Sequence, residues 1–150
     1  MSVTIDPTKV RPLGPGQDLK CDMSVASQLG RMVYLSAEHS APNKAIATPT
    51  DAQAAVSASG VVGMIVAASR HNTDGLVIAD ETVTVRTFGR VGVGDAALVL
   101  TDAYYLEDEN TSVDGLLDTS PGTVTRLVAR PVADEVLFIN GVSMVEPTST

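Results

Sequence analysis

The stretch MVYL at residues 32–35, with VVGMIVA at residues 61–67 and DETVTV at residues 80–85, decides the fold that we predict for this chain. The first segment ends in Tyr-Leu, the second is a nearly continuous apolar run, and the third alternates apolar and polar residues after an Asp-Glu pair. Strict alternation is typical of a half-exposed strand, whereas a short apolar run is typical of a strand buried on both faces. The stretch therefore predicts three strands, and Gly63 in the middle one indicates a bulge or a close backbone approach.

The same three-part pattern occurs again later in the chain, as AYYL at residues 103–106, VTRLVA at residues 124–129 and DEVLFI at residues 134–139. The spacing between the segments differs between the two copies, so the pattern is a loose internal duplication. No catalytic or metal-binding cluster stands out to a similar degree. This organisation favours a structural, surface-forming protein.

The composition limits what the core can contain. Aromatic residues make up 3% of the 150 residues and tryptophan is absent, so the core must consist of Val, Ala, Leu and Ile. Twelve glycines and eight prolines provide many turns, and Asn140-Gly141 is the strongest two-residue hairpin signal. We expect one short helix after residue 50, where Thr50 and Gln53 have the spacing of a capping box. The prediction is a mainly β fold, a small β-barrel or β-sandwich of about eight to ten short strands with one short helix.

Three segments are expected along the chain. Residues 1–24 form an extended N-terminal arm, because prolines and glycines interrupt every candidate helix or long strand. Residues 25–146 form the barrel-like body, and residues 147–150 form a polar, frayed C-terminus. A disordered terminus is the alternative interpretation of the arm.

Apolar residues in the arm favour an ordered role over plain disorder. Val3 and Ile5 alternate with polar residues, which suits the addition of a short strand to the sheet edge of a neighbouring molecule. Val10 and Leu13 are apolar residues that a flexible tail does not need. Together with Arg11, these four residues are our predicted contacts with a partner.

The net charge of −8 and the pI near 4.5 narrow the classes of partner. Binding to a phosphate backbone depends on clustered Lys and Arg, so we expect no nucleic-acid partner. Adhesion to anionic membranes is disfavoured for the same reason. An acidic body instead keeps a protein soluble at high concentration.

Few residues offer chemistry. The two histidines, His39 and His71, lie in predicted loops without a recognisable nucleophile pattern, and the single cysteine, Cys21, cannot form an internal disulfide. A structural zinc site needs about four Cys or His ligands and a catalytic one needs three, so with two histidines and one cysteine a site would need carboxylates from several loops, and we expect none. The acidic run at residues 107–110 lacks the spacing of a calcium loop. We therefore expect no enzymatic activity, no metal and no cofactor.

The order of these segments resembles a known pattern. A strand ending in Val-Tyr-Leu, then GVVGMIVA at residues 60–67, then a Val-Thr-Val strand running into Phe-Gly-Arg-Val, a second Tyr-Leu and a closing Leu-Val-Ala and Val-Leu-Phe-Ile resemble the head decoration proteins of tailed bacteriophages, also called capsid cement proteins. The resemblance covers roughly residues 24–140 and is to the mostly β branch of that family.

The resemblance implies a structural virion protein without enzymatic activity. Members of the family sit on the outer surface of the mature capsid, commonly as homotrimers, and clamp neighbouring subunits of the major capsid protein. In several members the N-terminal segment orders only on the capsid. The implied location is the virion, after synthesis in the host cytoplasm.

Other functions stay open at this point. A different β-rich virion component, such as a tail tube or the base of a head fibre, has a similar build. A small ligand-binding or glycan-binding module is a further alternative, with Tyr104 as an aromatic contact or with exposed loops as the contact.

Overall fold

The computed structural model describes residues 2–41, 44–53, 60–69, 74–108, 113–142 and 148–149. Within these ranges the chain forms thirteen strands and one three-residue 3-10 helix, Pro7–Lys9. The strands are β1 (Arg11–Met23), β2 (Ser27–Gln28), β3 (Met32–Ala41), β4 (Lys44–Pro49), β5 (Val62–Ala68), β6 (Leu76–Val77), β7 (Thr82–Gly92), β8 (Tyr104–Leu106), β9 (Leu117–Asp118), β10 (Val124–Thr125), β11 (Leu127–Ala133), β12 (Val136–Asn140) and β13 (Thr148–Ser149). Nine of them belong to one sheet, which confirms the prediction of a mainly β fold.

Five strands of this sheet close into a ring. The order is β1-β4-β3-β5-β7, and β1 pairs again with β7, so the ring has no free edge between its first and last strand. The β1–β4 pair is parallel and the other four pairs are antiparallel. Closure removes the unpaired edge that an open sheet presents to other chains.

The ring encloses a small core. Its buried members come from all five strands and from β6; they are Cys21, Met23, Val33, Ala47, Ile65, Val77, Val83 and Val85. Gly63 leaves the space that this interior needs, since a Cβ on it would lie 2.5 Å from Cγ1 of Val85 and 2.7 Å from the carbonyl oxygen of Arg86. The close backbone approach predicted at Gly63 is confirmed.

The second copy of the sequence pattern, together with β9, forms the remainder of the sheet. Beyond β7 the order continues β12-β11-β8-β9, so each copy has the Tyr-Leu strand, the Val-rich strand and the Asp-Glu strand as successive neighbours. The β12 strand pairs with residues 88–92 of β7, whereas β5 pairs with residues 83–86 on the same edge. The sheet therefore forks along β7 into a closed and an open part.

A second, larger core lies between the ring and the open part. It includes Met64 and Val66 of β5, Val91 of β7, and Leu137 and Ile139 of β12. Because Ile65 points into the ring and its neighbours point into the second core, β5 is buried on both faces, as the apolar run predicts.

The N-terminal segment is built into this architecture. The strand β1 pairs with β7 from Arg11 to Asp22, and Ser2 bridges Asp118 beside β9 of the same chain. The nitrogen of Val3 donates a hydrogen bond to the carbonyl oxygen of Leu117 at 2.8 Å. In this structure the segment is thus an integral part of its own sheet, which corrects the separate arm predicted for residues 1–24.

The structure can be compared with three smaller predictions. Most of the short helix expected after Thr50 falls on residues 54–59, outside the described residues. The hairpin turn predicted at Asn140-Gly141 is wrong, because neither residue has the positive φ that such a turn needs; Gly141 instead links Thr87 and Val62 by hydrogen bonds of 2.7 and 3.0 Å. At the C-terminus, where fraying was expected for residues 147–150, β13 pairs with β10.

Candidate partner-binding face

One face of the sheet carries the chain's two phenylalanines and three of its arginines. A row of directly opposite residues crosses four strands, from Leu13 on β1 through Arg90 on β7 and Phe138 on β12 to Arg130 on β11. Opposite residues of neighbouring strands point to the same side of a sheet. The row therefore presents its four side chains on one surface, away from the second core.

Neighbouring positions extend this surface. We call it the Arg–Phe face; its members are Arg11, Leu13, Phe88, Arg90, Arg130, Val132, Val136 and Phe138. All eight are exposed or half-exposed. The alternation along β7 shows the arrangement directly, because Phe88 and Arg90 are exposed while Gly89 and Val91 are buried.

The two phenylalanines form the centre of the face. Their ring centroids lie 5.0 Å apart with the ring planes at 84°, an edge-to-face contact. Such a contact holds both rings in place, and Phe88 still exposes 38% of its surface. Aromatic side chains and arginines are enriched at the centres of protein interfaces.

The arginines of the face are available to a partner. Within the described residues, the ion pairs involve Lys44 with Asp22 and Arg86 with Asp18, and none involves Arg11, Arg90 or Arg130. Phe138 has Arg90 on one side and Arg130 on the other. An aromatic anchor between two guanidinium groups suits a surface that carries carboxylates, which arginine binds through paired hydrogen bonds.

Arg86 fixes the strand that supplies Arg11 and Leu13. Its side chain is 3% exposed, and its guanidinium donates hydrogen bonds to both carboxylate oxygens of Asp18, at 2.8 and 3.1 Å. It also donates to the carbonyl oxygens of Leu13, Gly14 and Arg90, at 2.9, 3.1 and 2.8 Å. These five bonds use every donor of the guanidinium and tie β1 to β7.

The bonds of Arg86 explain an irregularity in β1. Between the pairs Leu13 with Arg90 and Gln17 with Phe88, β1 has three intervening residues where β7 has one. Residues 14–16, two more than β7 has at this place, bulge over Arg86, and a Cβ on Gly16 would lie 2.9 Å from its Cζ. Glycine is required there because the backbone passes directly across the guanidinium.

Glycine also shapes the end of the face. A Cβ on Gly92 would lie 3.2 Å from both Cγ and Nε of Arg11, so the arginine side chain lies across the bare backbone of β7. Lys9, Asp95 and Glu135 line a cavity of about 360 Å³ next to Arg11. The face thus changes from arginine and phenylalanine to mixed charge at this end.

The five predicted contact residues divide into two groups. Arg11 and Leu13 lie on the Arg–Phe face. Val10 is buried, and Val3 and Ile5 pack against the second core of their own chain. The strand addition predicted for Val3 and Ile5 takes place beside β9 within the chain, where Ser2 also donates from Oγ to the Glu107 carboxylate at 2.6–2.7 Å.

Sequence reasoning missed Phe88, Arg90, Arg130 and Phe138. The sequence did contain a signal. Phe88 stands two residues before Arg90, and Phe138 stands two residues after Val136, so in a strand each pair lies on one face. The pairing of these strands, which puts the four side chains together, is not readable from the sequence.

Cys21 and Tyr104, two residues considered for chemistry, are both buried. Cys21 is buried in the ring, and this burial raises the pKa of its thiol to about 11. Tyr104 is buried in the second core, and loss of solvent raises the pKa of its hydroxyl. The alternative of an exposed aromatic contact at Tyr104 is therefore wrong. The side chains of His39 and His71 lie outside the described residues.

The described ranges contain no group of three or more His, Cys, Asp or Glu side chains placed to hold a metal ion. In the same part of the chain, no helix has the length and apolar character needed to cross a membrane.

No protein-family model, no curated protein and no solved structure matches this chain.

Proposed function

We propose that this chain is a structural virion protein of a tailed bacteriophage that binds the outer surface of the mature capsid. In this proposal it acts as a homotrimer and stabilises the shell by clamping neighbouring subunits of the major capsid protein. The observation that carries the proposal is the Arg–Phe face, a rigid, exposed surface of interface-type residues on an otherwise acidic protein.

The build of the face favours a structural role. Its side chains stand on four hydrogen-bonded strands, so little backbone freedom is lost when a partner binds. The ring that supplies two of these strands, β1 and β7, has no free edge, so it presents no unpaired strand to other chains. Both features suit a clamp, and the resemblance of residues 24–140 to capsid cement proteins points to the same function.

Charge favours an acidic region of the capsid as the contact. The three arginines of the face carry positive charge that no ion pair within the described residues neutralises. Interactions of this kind steer association and weaken as salt is raised. A trimer that engages three such sites gains further strength through avidity.

The test is co-sedimentation with undecorated, expanded phage capsids. We expect saturable binding of the wild-type protein, and Arg90→Glu and Arg130→Glu are each expected to weaken it by about tenfold or more. Lys20→Glu is the matched control, since it makes the same change of charge on an exposed side chain outside the face. Deletion of residues 1–24 is unsuitable because it removes β1 from the ring.

The outcomes separate the parts of the proposal. Absence of wild-type binding to any expanded capsid would overturn the capsid function. Wild-type binding that both glutamate variants retain in full would overturn the role of the Arg–Phe face and place the contact elsewhere.

A further inference from the structure

A second apolar surface lies at one end of the ring, around β2 and β6. Val25, Leu76 and Ile78 expose between 47% and 50% of their surface there. They line a groove of about 520 Å³ together with Pro49 and Arg31. Because these side chains share one groove, they form a contiguous apolar patch, which makes the groove a candidate site of association.

Arg31 lines this groove together with Asp114, so the groove has one side chain of each charge. Its side chain is half-buried, and Nη1 donates a hydrogen bond to the carbonyl oxygen of Asp114 at 3.3 Å. Burial lowers the pKa of the guanidinium from its ordinary value. No ion pair to Arg31 occurs within the described residues, so a carboxylate brought into the groove gains a strong partner.

The loop between β7 and β8 has the complementary features. At its tip, Leu100 and Val99 are the two most exposed large apolar side chains of the described residues, at 58% and 52%. The tip is closed by a hydrogen bond of 2.9 Å from the nitrogen of Asp102 to the carbonyl oxygen of Val99. We call Val99 and Leu100 the apolar knob; a carboxylate, Asp102, stands two residues beyond it.

The backbone of this loop is also unusual. Ala97 has φ 55°, a left-handed conformation that costs a residue with a Cβ about 1–2 kcal/mol. Strain of this kind is retained where a defined loop shape matters for function. This φ and the hydrogen bond at the tip together define the backbone of the turn that carries the knob.

We propose that the apolar knob of one copy of this chain inserts into the groove of a second copy, with Asp102 of the first pairing with Arg31 of the second. Apolar side chains meet apolar side chains and the acid meets the base, so a single contact satisfies both surfaces. A contact between two different surfaces of one protein closes into a ring when its rotation permits. The inference rests on the proposed function only in expecting that copies of this chain associate with one another. It can be tested without capsids.

The experiment is sedimentation velocity of the full chain over a wide range of concentration, without capsids. We expect the wild-type protein to form an oligomer and Leu100→Asp or Ile78→Asp to weaken association by about tenfold or more. Leu19→Asp is the matched control: Leu19 exposes 46% of its surface and lies outside the knob, the groove and the Arg–Phe face, so its variant should associate as the wild type does.

Complementation makes the test specific. A mixture of the Leu100→Asp and Ile78→Asp proteins retains one intact knob and one intact groove, so the mixture should form dimers that neither variant forms alone. The double variant Asp102→Arg, Arg31→Asp should recover association that each single change weakens. Because Arg31 is half-buried, circular dichroism must show that its variants are folded, and the mixing experiment does not depend on them.

A wild-type protein that stays monomeric throughout, or an oligomer that Leu100→Asp and Ile78→Asp leave unchanged, would overturn the inference. If only the capsid function fails, association will still depend on the knob and the groove, but the protein will bind no capsid.

Discussion

The first triplet of strands, β3, β5 and β7, lies in a closed ring, whereas the second triplet, β8, β11 and β12, lies in an open part of the same sheet. Both have the same order of neighbours. The ring closes because β1 and β4, which have no counterpart in the second copy, fill the gap between β3 and β7. Closure is therefore decided by segments outside the duplicated pattern.

The open part leaves a face uncovered. Its inner side packs on the second core, and its outer side becomes the Arg–Phe face once β1 and β7 extend it. The edge beyond β8 is protected by the short strand β9 and by Ser2. The Arg–Phe face therefore spans both parts, with half of its residues on β1 and β7 of the ring and half on β11 and β12 of the open part.

The largest expected effect comes from breaking the closure of the ring at Arg86. Arg86→Ala leaves Asp18 and three carbonyl oxygens without the guanidinium, and we expect it to lower the free energy of unfolding by about 3–5 kcal/mol. Denaturant unfolding measures the change. Arg90→Ala on the same strand is the control, with a change within about 0.5 kcal/mol. Equal effects of the two variants would mean that Arg86 does not secure β1.

A matched pair of isoleucines tests whether the two cores are separate. Ile65 lies in the ring and Ile139 in the second core, and both are fully buried. Replacing either with alanine should cost about 2–5 kcal/mol of stability. Hydrogen exchange should then show the loss of protection in β3 and β4 for Ile65→Ala, and in β11 and β12 for Ile139→Ala. The same pattern for both variants would show a single cooperative unit.

The smallest effect concerns the interior of the ring and is read at Cys21. Because burial raises the pKa of this thiol to about 11, the reactive thiolate is scarce at mildly alkaline pH and increases only as the pH approaches that value. We expect native protein to react slowly with iodoacetamide and denatured protein to react quickly. Arg86→Ala should speed the native reaction. A native rate equal to the denatured rate would show that the ring opens readily without any substitution.

Much of the fold could be predicted from local pattern. The alternation in residues 80–85 and the apolar run in residues 61–67 identified β7 and the doubly buried β5, because burial on one or two faces leaves a periodic record in the sequence. The prediction of a separate arm was wrong because the pairing of this segment with β7 leaves no such local pattern in the sequence. Prolines and glycines in residues 12–16 indicate an interruption, and only the pairing with β7 shows that the interruption is a bulge over Arg86.

The candidate site was predictable in part. Arg11 and Leu13 were selected from the N-terminal segment, and the structure puts them on the Arg–Phe face. Val3, Ile5 and Val10 were selected for their apolar character, which serves the chain's own core equally well. An apolar side chain indicates that a residue will be buried, but it does not indicate which surface the residue will be buried against.

The sequence by itself determined that this chain is β-rich, acidic and low in aromatic residues, and that its strand pattern occurs twice. These properties follow from composition and from periodicity over a few residues. Only the tertiary structure decided that one copy closes and the other stays open, and that Leu13, Arg90, Phe138 and Arg130 form one row. The reason is that pairing between distant strands depends on register and on backbone geometry, such as that at Gly16, Gly63 and Gly92, which local sequence does not specify.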